Sequence, residues 1–400
     1  MAILTNGGDT CALNASIEAI RREARKVGFG KIIGIEGGYH GLLYRNFRIL
    51  NERVDERMGG AILRSLRESP CTLKGNEYVL DKDKMKKMVD FLSELEVDVL
   101  VVIGGDGTLQ ATKLFHEAVQ DKYKFKILGF PKTIDNDIRT KSTFEGIEVA
   151  LCPGYPTAAR KIALVTQDIR TTAISAQRVF GVETMGRDAG WLAAASTGGG
   201  PDMILIPEFP LDENGKRRLL ERTEKYFRMG LNVVFVVSEG TRWADEEGKI
   251  VQIRTIEFGP RKLGGVADKI VKFIEANLKD KFDDATPFEV RPHHTDYVPR
   301  AGSPCEYDLK FVDVLAKRLG ILLEREEYGK VPVLRNVVPY NELNLDDTAS
   351  LDIEEMEPML FPKKDFYDEE RLLSNKAFSK FLRTITSGPD SGNFYTSKVP

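Results

Sequence analysis

Runs of apolar residues alternate with amphipathic stretches from the first residues onward. Ala2-Ile3-Leu4-Thr5 reads as a strand. A glycine-bearing turn follows, and then Leu13, Ile17 and Ile20 recur about one helical turn apart, predicting a helix from about Leu13 to Val27. Lys31 to Ile35 is a second strand, and Lys84 to Leu95 a second helix. Asp98 to Ile103 is a nearly continuous apolar run, as expected of a parallel strand covered on both faces. Phe125-Lys126-Ile127-Leu128-Gly129-Phe130, Arg178 to Glu183, Asp202 to Ile206 and Asn232 to Val237 are further strands. This alternation predicts an α/β protein with two Rossmann-like lobes of parallel sheet. The first lobe is expected over 1–135 with about 301–325 returning to it, and the second over 136–300. Residues 326–400 are less regular, with an acidic patch from Asp346 to Glu357, a helix expected from Asp368 to Arg383, and a tail, Ser387 to Gly392, expected to be mobile.

Composition narrows the class. The chain has 400 residues, 42% hydrophobic and 30% charged, with a net charge of −3. That balance suits a packed protein and argues against general nucleic-acid binding. No apolar run reaches the roughly 20 residues of a membrane span, and the early first strand leaves no room for a signal peptide, so a cytoplasmic location is expected. Cys11, Cys71, Cys152 and Cys305 are too widely spaced for a zinc pattern or a disulfide framework. His293 and His294 lack a nearby third ligand in sequence and read as loop residues.

The polar segments with chemical content follow strand ends, where open parallel sheets bind ligands. Pro131-Lys132-Thr133-Ile134-Asp135-Asn136-Asp137 places two acids two residues apart beside a hydroxyl and a lysine. One carboxylate to take a proton from an alcohol, beside groups that manage phosphate and metal charge, is what phosphoryl transfer to a sugar hydroxyl requires. Upstream, Gly104-Gly105-Asp106-Gly107-Thr108 combines glycines that let a polyphosphate approach with Asp106, a ligand suited to Mg²⁺, and Thr108, a candidate helix cap. Asn6-Gly7-Gly8-Asp9 is a further strand-to-helix turn able to offer backbone N–H groups to phosphate.

Together these motifs resemble the phosphofructokinase family over roughly residues 2–325. NAD and diacylglycerol kinases carry a similar GGDGT, but the TIDND segment favours phosphofructokinases. The resemblance implies Asp135 as general base, with Thr133 and Asp137 beside it at the sugar. It makes Arg67, ending Gly59 to Arg67, the clamp on the transferred phosphoryl group, and places Tyr39 near adenine. Gly7, Gly8, Gly105, Asp106, Gly107, Thr108 and Lys132 would surround the phosphoryl donor, with Mg²⁺ on Asp106. Gln177-Arg178 and Thr184-Met185-Gly186-Arg187 look like the family's QR…MGR stretch. Met185 and Gly186 would line the sugar, Arg187 would neutralise charge at the reacting centre, and Glu208 would accept sugar hydroxyls. Arg291, Tyr297 and Arg300 resemble the sugar-phosphate loop, with Arg178 reaching the phosphate from a neighbouring subunit. A homodimer or homotetramer is therefore implied.

The expected reaction is phosphorylation of fructose 6-phosphate at its 1-hydroxyl. Gly107, where pyrophosphate-using members carry Asp, points to ATP. Lys132 and Tyr297 pull toward pyrophosphate, so the resemblance leaves that donor, and another sugar phosphate, as alternatives. A non-catalytic regulatory subunit fits poorly, because Asp106, Asp135 and Asp137 are all present.

Overall fold

The computed structural model describes residues 1–390 apart from 75–76, 246, 253, 256–261 and 284–286. The chain divides into two compact units: Met1–Thr157 with Arg300–Met359 and Ser387–Asp390, and Ala158–Pro299 with Leu360–Thr386. The first thus runs past the boundary expected at 135, and the stretch beyond 325 is divided between both.

The first unit holds a five-stranded sheet. Its strands are β1 (Ala2–Asn6), β2 (Ile33–Ile35), β3 (Phe47–Ile49), β4 (Val99–Gly104) and β5 (Lys126–Pro131), in the order β3-β2-β1-β4-β5. All neighbours are parallel except β2 and β3. Every residue of β4 is buried, as its unbroken apolar run requires. Helix Leu13–Val27 ends on Gly28, whose φ of 103° only glycine adopts readily and whose N–H bonds the carbonyls of Ala24 and Arg25. Asp81 caps helix Lys82–Glu94 through the N–H groups of Asp83 and Lys84.

The returning helix Glu306–Glu324 lies along helix Leu13–Val27. A Cβ on Gly320 would sit 3.3 Å from Glu23 Cβ, so glycine permits this close approach. The acidic stretch expected to be irregular instead forms an antiparallel ribbon, Lys330–Leu334 with Thr348–Asp352. Val331, Val333, Ile353 and Met356 bury against Leu109, Ile138 and Cys152. Its negative charges point outward while alternate apolar positions face the sheet.

The second unit carries four parallel strands: β6 (Val179–Thr184), β7 (Met203–Leu205), β8 (Val233–Ser238) and β9 (Val290–His294), ordered β7-β8-β6-β9. Its core joins Val179, Leu205, Phe227, Phe235 and Val237 to Ile270 and Ile274 of helix Val266–Leu278. His293 and His294 are strand residues, a correction to the loop expected. His294 Nε2 lies 3.0 Å from Asp268 and its Nδ1 3.9 Å from Glu183, an ion-pair arrangement when the imidazole is protonated.

The helix expected over 368–383 starts later, at Lys376, and runs to Ile385. Asp368 accepts the N–H groups of Glu370 and Arg371, closing a turn, and Leu372 takes φ 51°. Asn375 then caps the helix by accepting from Phe378 N–H. Of the tail, Ser387 Oγ accepts from Tyr340 N–H; residues 391 and 392 lie outside the described residues. All four cysteines are buried and none forms a disulfide among the described residues.

Candidate active site

The first unit gathers the glycine turn, the GGDGT helix start and the TIDND turn. β1 and β4 are in register, with Asn6 opposite Gly104, so both strands end at the same level. β5 pairs Pro131 with Gly104, and Lys132 N–H bonds Gly104 carbonyl at 3.0 Å. Three motifs, at residues 6–9, 104–108 and 131–137, therefore meet at one end of the sheet because of register.

Helix Asp106–Val119 begins at Asp106, with Gly105 as its N-cap. Thr108 is thus inside the first turn rather than the cap. Its hydroxyl folds back to accept from Asn6 Nδ2 at 3.1 Å. That return explains Gly104: a Cβ there would fall 2.2 Å from Thr108 Cγ2. A Cβ on Gly7 would meet Thr108 Oγ1 at 3.2 Å and Lys132 Nζ at 3.5 Å. The glycines clear the floor over which backbone N–H groups and the helix terminus face outward, an arrangement suited to phosphate.

The TIDND turn is fixed from beneath. Asn136, buried with φ 55°, donates to Ala150 carbonyl at 2.7 Å and accepts from Cys152 N–H at 3.0 Å. Thr133 Oγ1 donates to Asp137 Oδ1 at 3.1 Å and accepts from Asp135 N–H at 3.0 Å. Asp135 is largely buried, while Asp137 is more open. Lys132 is buried and its ammonium donates to Gly8 carbonyl, tying this turn to the glycine turn. Burial and the like charge of Arg300 lower the Lys132 pKa to about 8, against the pull of Asp135, Asp9 and Asp137.

Arg300 belongs to this same cluster. Its guanidinium carbon lies 3.4 Å from where a Gly8 Cβ would be, and Nη1 is 3.8 Å from Asp9. Its guanidinium thus stands over the glycine turn of the first unit, while Arg291 belongs to the second. Arg67 is exposed and follows Leu66, whose carbonyl accepts from Gly7 N–H at 2.9 Å, so the backbone brings it to the glycine turn.

Tyr39 departs from expectation. It is fully buried, its hydroxyl is 2.7 Å from Thr112 Oγ1 and its ring meets Phe115 edge-on. Burial raises its phenol pKa well above the ordinary value. It packs the core instead of offering a face to adenine. An aromatic that sequence reasoning missed stands nearer: Tyr78, exposed, whose hydroxyl lies 3.1 Å from where a Gly107 Cβ would project. Only its place on the strand Glu77–Leu80 reveals that proximity.

In the second unit, β6 leads into the Met185-Gly186-Arg187 turn. Gly186 has φ 140° and Arg187 φ 52°. The Arg187 N–H donates to Glu239 Oε1 at 3.2 Å, and the Arg187 side chain is exposed. Met185 is half-buried. Arg178 and Arg291 converge on the carboxylate of Glu289; Arg291 Nε donates to it at 2.7 Å. Burial raises the Glu289 pKa, but the two arginines outweigh it and hold the carboxyl below its usual range. Glu289, also missed from sequence, is the acidic partner of both arginines. Tyr297 is exposed three residues before Arg300.

Glu208 follows β7. Its Oε1 accepts from Gly190 N–H at 3.0 Å and Phe361 N–H at 2.8 Å. Burial raises its pKa above the ordinary carboxylate value.

Comparison with known proteins identifies the family. The family model described as Phosphofructokinase matches residues 1–323. The chain is 33% identical over 359 residues to "ATP-dependent 6-phosphofructokinase 2" of Clostridium perfringens, covering 86% of this chain and 90% of that one. It is 34% identical over 330 residues to "Pyrophosphate--fructose 6-phosphate 1-phosphotransferase" of Amycolatopsis methanolica, covering 80% and 85%. Among solved structures, the pyrophosphate-dependent phosphofructokinase of Marinobacter aquaeolei shares the fold with a TM-score of 0.75 at 20% identity, over 97% of this chain and 91% of that one. With its motifs joined at one sheet edge and the match running from residue 1 to 323, the chain belongs to the phosphofructokinase family.

Proposed function

We propose that the protein transfers the γ-phosphoryl group of Mg-ATP to the 1-hydroxyl of fructose 6-phosphate, yielding fructose 1,6-bisphosphate and ADP, as a cytoplasmic glycolytic enzyme. The observation that carries the reading is the bond from Lys132 Nζ to Gly8 carbonyl, which joins the acid-bearing TIDND turn to the glycine turn. Asp135 takes the 1-hydroxyl proton; the resulting oxygen attacks the γ-phosphorus, and the bond to the β-phosphate oxygen breaks. Thr133 holds Asp137 and orients the Asp135 backbone. Arg67 and Arg187 neutralise charge on the group in flight, the N–H groups at Gly8 and Gly105 hold the donor, and Gly7, whose own N–H is taken by the Leu66 carbonyl, leaves room beside them. Asp106, beside a floor cleared by glycine, suits Mg²⁺, which would screen the phosphate charges when bound.

Arg178 and Arg291 are proposed to exchange Glu289 for the sugar 6-phosphate, with Arg178 serving a site shared between subunits of a homodimer or homotetramer. Glu208, Met185 and Gly186 contact the sugar, and Tyr297 lines its loop.

Pyrophosphate is the second reading for the donor, favoured by the buried Lys132 and by likeness to relatives of both kinds. Gly107 decides for ATP. A carboxylate there would set like charge against the donor phosphates, a repulsion of roughly 4 kcal/mol for unit charges about 4 Å apart at an effective dielectric of 20. The test is kcat/KM of the wild type with each donor at saturating sugar phosphate. ATP should be preferred, and Gly107→Asp should lower kcat/KM for ATP by about 10²–10³-fold. A wild-type preference for pyrophosphate overturns the donor assignment and leaves the sugar reaction standing.

A further inference from the structure

We propose that the C-terminal strap, residues 360–385, positions the sugar-phosphate half by holding Glu208 and the loop from Gly186 to Trp191. The strap lies beyond the residues matched by the family model, and the proposal rests on Glu208 contacting the sugar.

Three observations within the second unit converge. Phe361 N–H and Gly190 N–H donate to the same Glu208 oxygen, at 2.8 and 3.0 Å. One carboxylate oxygen thus ties the strap to the loop carrying Met185, Gly186 and Arg187. Oε2 is left as the oxygen without a protein hydrogen bond, so the fixed Oε1 determines where Oε2 is presented.

The strap also holds the backbone from which Glu208 emerges. Ile204 N–H donates to Leu372 carbonyl at 2.6 Å, and Tyr367 hydroxyl donates to Ile204 carbonyl. These bonds occupy the outer edge of β7, the strand that leads directly into Ile206-Pro207-Glu208.

Aromatic packing anchors the arrangement at Trp191. Phe361 meets the indole edge-on, with centroids 5.1 Å apart; Phe381 is 5.7 Å away and Phe366 6.3 Å. Phe378 lies 5.4 Å from both Phe361 and Phe366. All four phenylalanines are buried. Trp191 begins the short helix after the MGR turn, so the cluster fixes that turn's far end. Such aromatic pairs contribute through contact area and edge-to-face geometry.

The experiment compares the full-length wild type with Phe361→Ala, Phe361→Leu and Glu208→Gln. Phe361→Ala keeps the backbone N–H that bonds Glu208 but removes the ring packed on Trp191 that holds it in place; it should raise the sugar-phosphate KM about tenfold as that bond to a charged group weakens, while the donor KM stays within about twofold. Phe361→Leu, which keeps most of the volume, should recover most of that loss and guards against failure of the alanine variant to fold. Because water would then reach Glu208, the pH profile of kcat/KM for the sugar should shift to lower pH in Phe361→Ala. Glu208→Gln should raise the sugar KM by itself and make the Phe361→Ala effect smaller than in the wild type. Equal rises in both KM values, or an unchanged sugar KM in Phe361→Ala, overturn the strap's role while a Glu208→Gln effect leaves the sugar contact intact. A Glu208→Gln variant with wild-type sugar KM instead overturns the reading of Glu208.

Discussion

Lys132, Thr133, Asp135 and Asn136 in the first unit are buried and bonded to backbone or to one another, whereas Arg178, Arg187, Arg291 and Tyr297 in the second stand at or near its surface. The first group includes the proposed base, whose carboxylate must meet a hydroxyl at a fixed angle and distance. Burial keeps it from wandering and keeps water from competing for the reacting oxygen. The second group is the one proposed to recognise a hydrated dianion. Arg178 and Arg291 in it are paired with Glu289, so on that reading binding exchanges one anion for another and neither guanidinium has to wait uncompensated. Rigidity is concentrated where bonds change, and exchangeable pairing where charge is recognised.

The comparison breaks most visibly at Asp135. Asp135→Ser should lower kcat by about 10²–10⁴-fold, the usual worth of a positioned general base, with little change in the sugar KM. A near-normal kcat would remove Asp135 from the proton transfer and make its burial a matter of packing alone. The second unit predicts the reverse signature. Arg291→Ala should raise the sugar-phosphate KM about 10–150-fold, from the loss of a charge-assisted contact of roughly 1.5–3 kcal/mol, and leave the donor KM nearly unchanged. Equal increases for both substrates would show that the substitution disturbs folding rather than phosphate recognition.

The two units also differ in how far sequence exposes them. β4 is legible because its Val99–Gly104 run has no polar interruption, and helix Leu13–Val27 because its apolar stripe and Gly28 mark both the buried face and the end. GGDGT and TIDND are legible because glycine, Asp and Asn at fixed spacing serve backbone geometry that few other residues satisfy. Partners set by long-range packing are not. Nothing local distinguishes Glu289 from any exposed glutamate, yet it holds both Arg178 and Arg291. Tyr39 shows the opposite failure. Its motif suggests a ligand contact, but the hydroxyl is satisfied by Thr112 across 73 residues of sequence, which only the fold brings near. The C-terminal strap hides for a related reason. Only Phe378 and Phe381 share a helical spacing; Phe361 and Phe366 fall outside any common period with them, since the turn at Asp368 and the cap at Asn375 lie between. Phe361, Phe366 and Phe381 meet at Trp191, far away in sequence, and Phe378 packs behind them.

The smallest of these effects tests whether the buried lysine is a charge used for binding or a strut. With the Lys132 pKa lowered to about 8 by burial and by Arg300, the free enzyme carries a protonated ammonium at pH 7 and mostly a neutral amine at pH 9. If the charged form binds the donor, kcat/KM for the donor should fall about tenfold across that interval, because this parameter reports ionisations of the free enzyme. The stability change has the opposite direction. The unfolded chain retains a lysine of ordinary pKa near 10.4, so between about pH 8 and that value it binds more protons than the folded protein. The contribution of Lys132 to stability therefore rises with pH through this window, since burying the charge is costly and the cost disappears on deprotonation. Lys132→Met, with no proton to lose, should flatten both profiles. A wild-type profile as flat as that of Lys132→Met would mean that Lys132 only braces Gly8, and that the donor is held by the backbone N–H groups and the arginines.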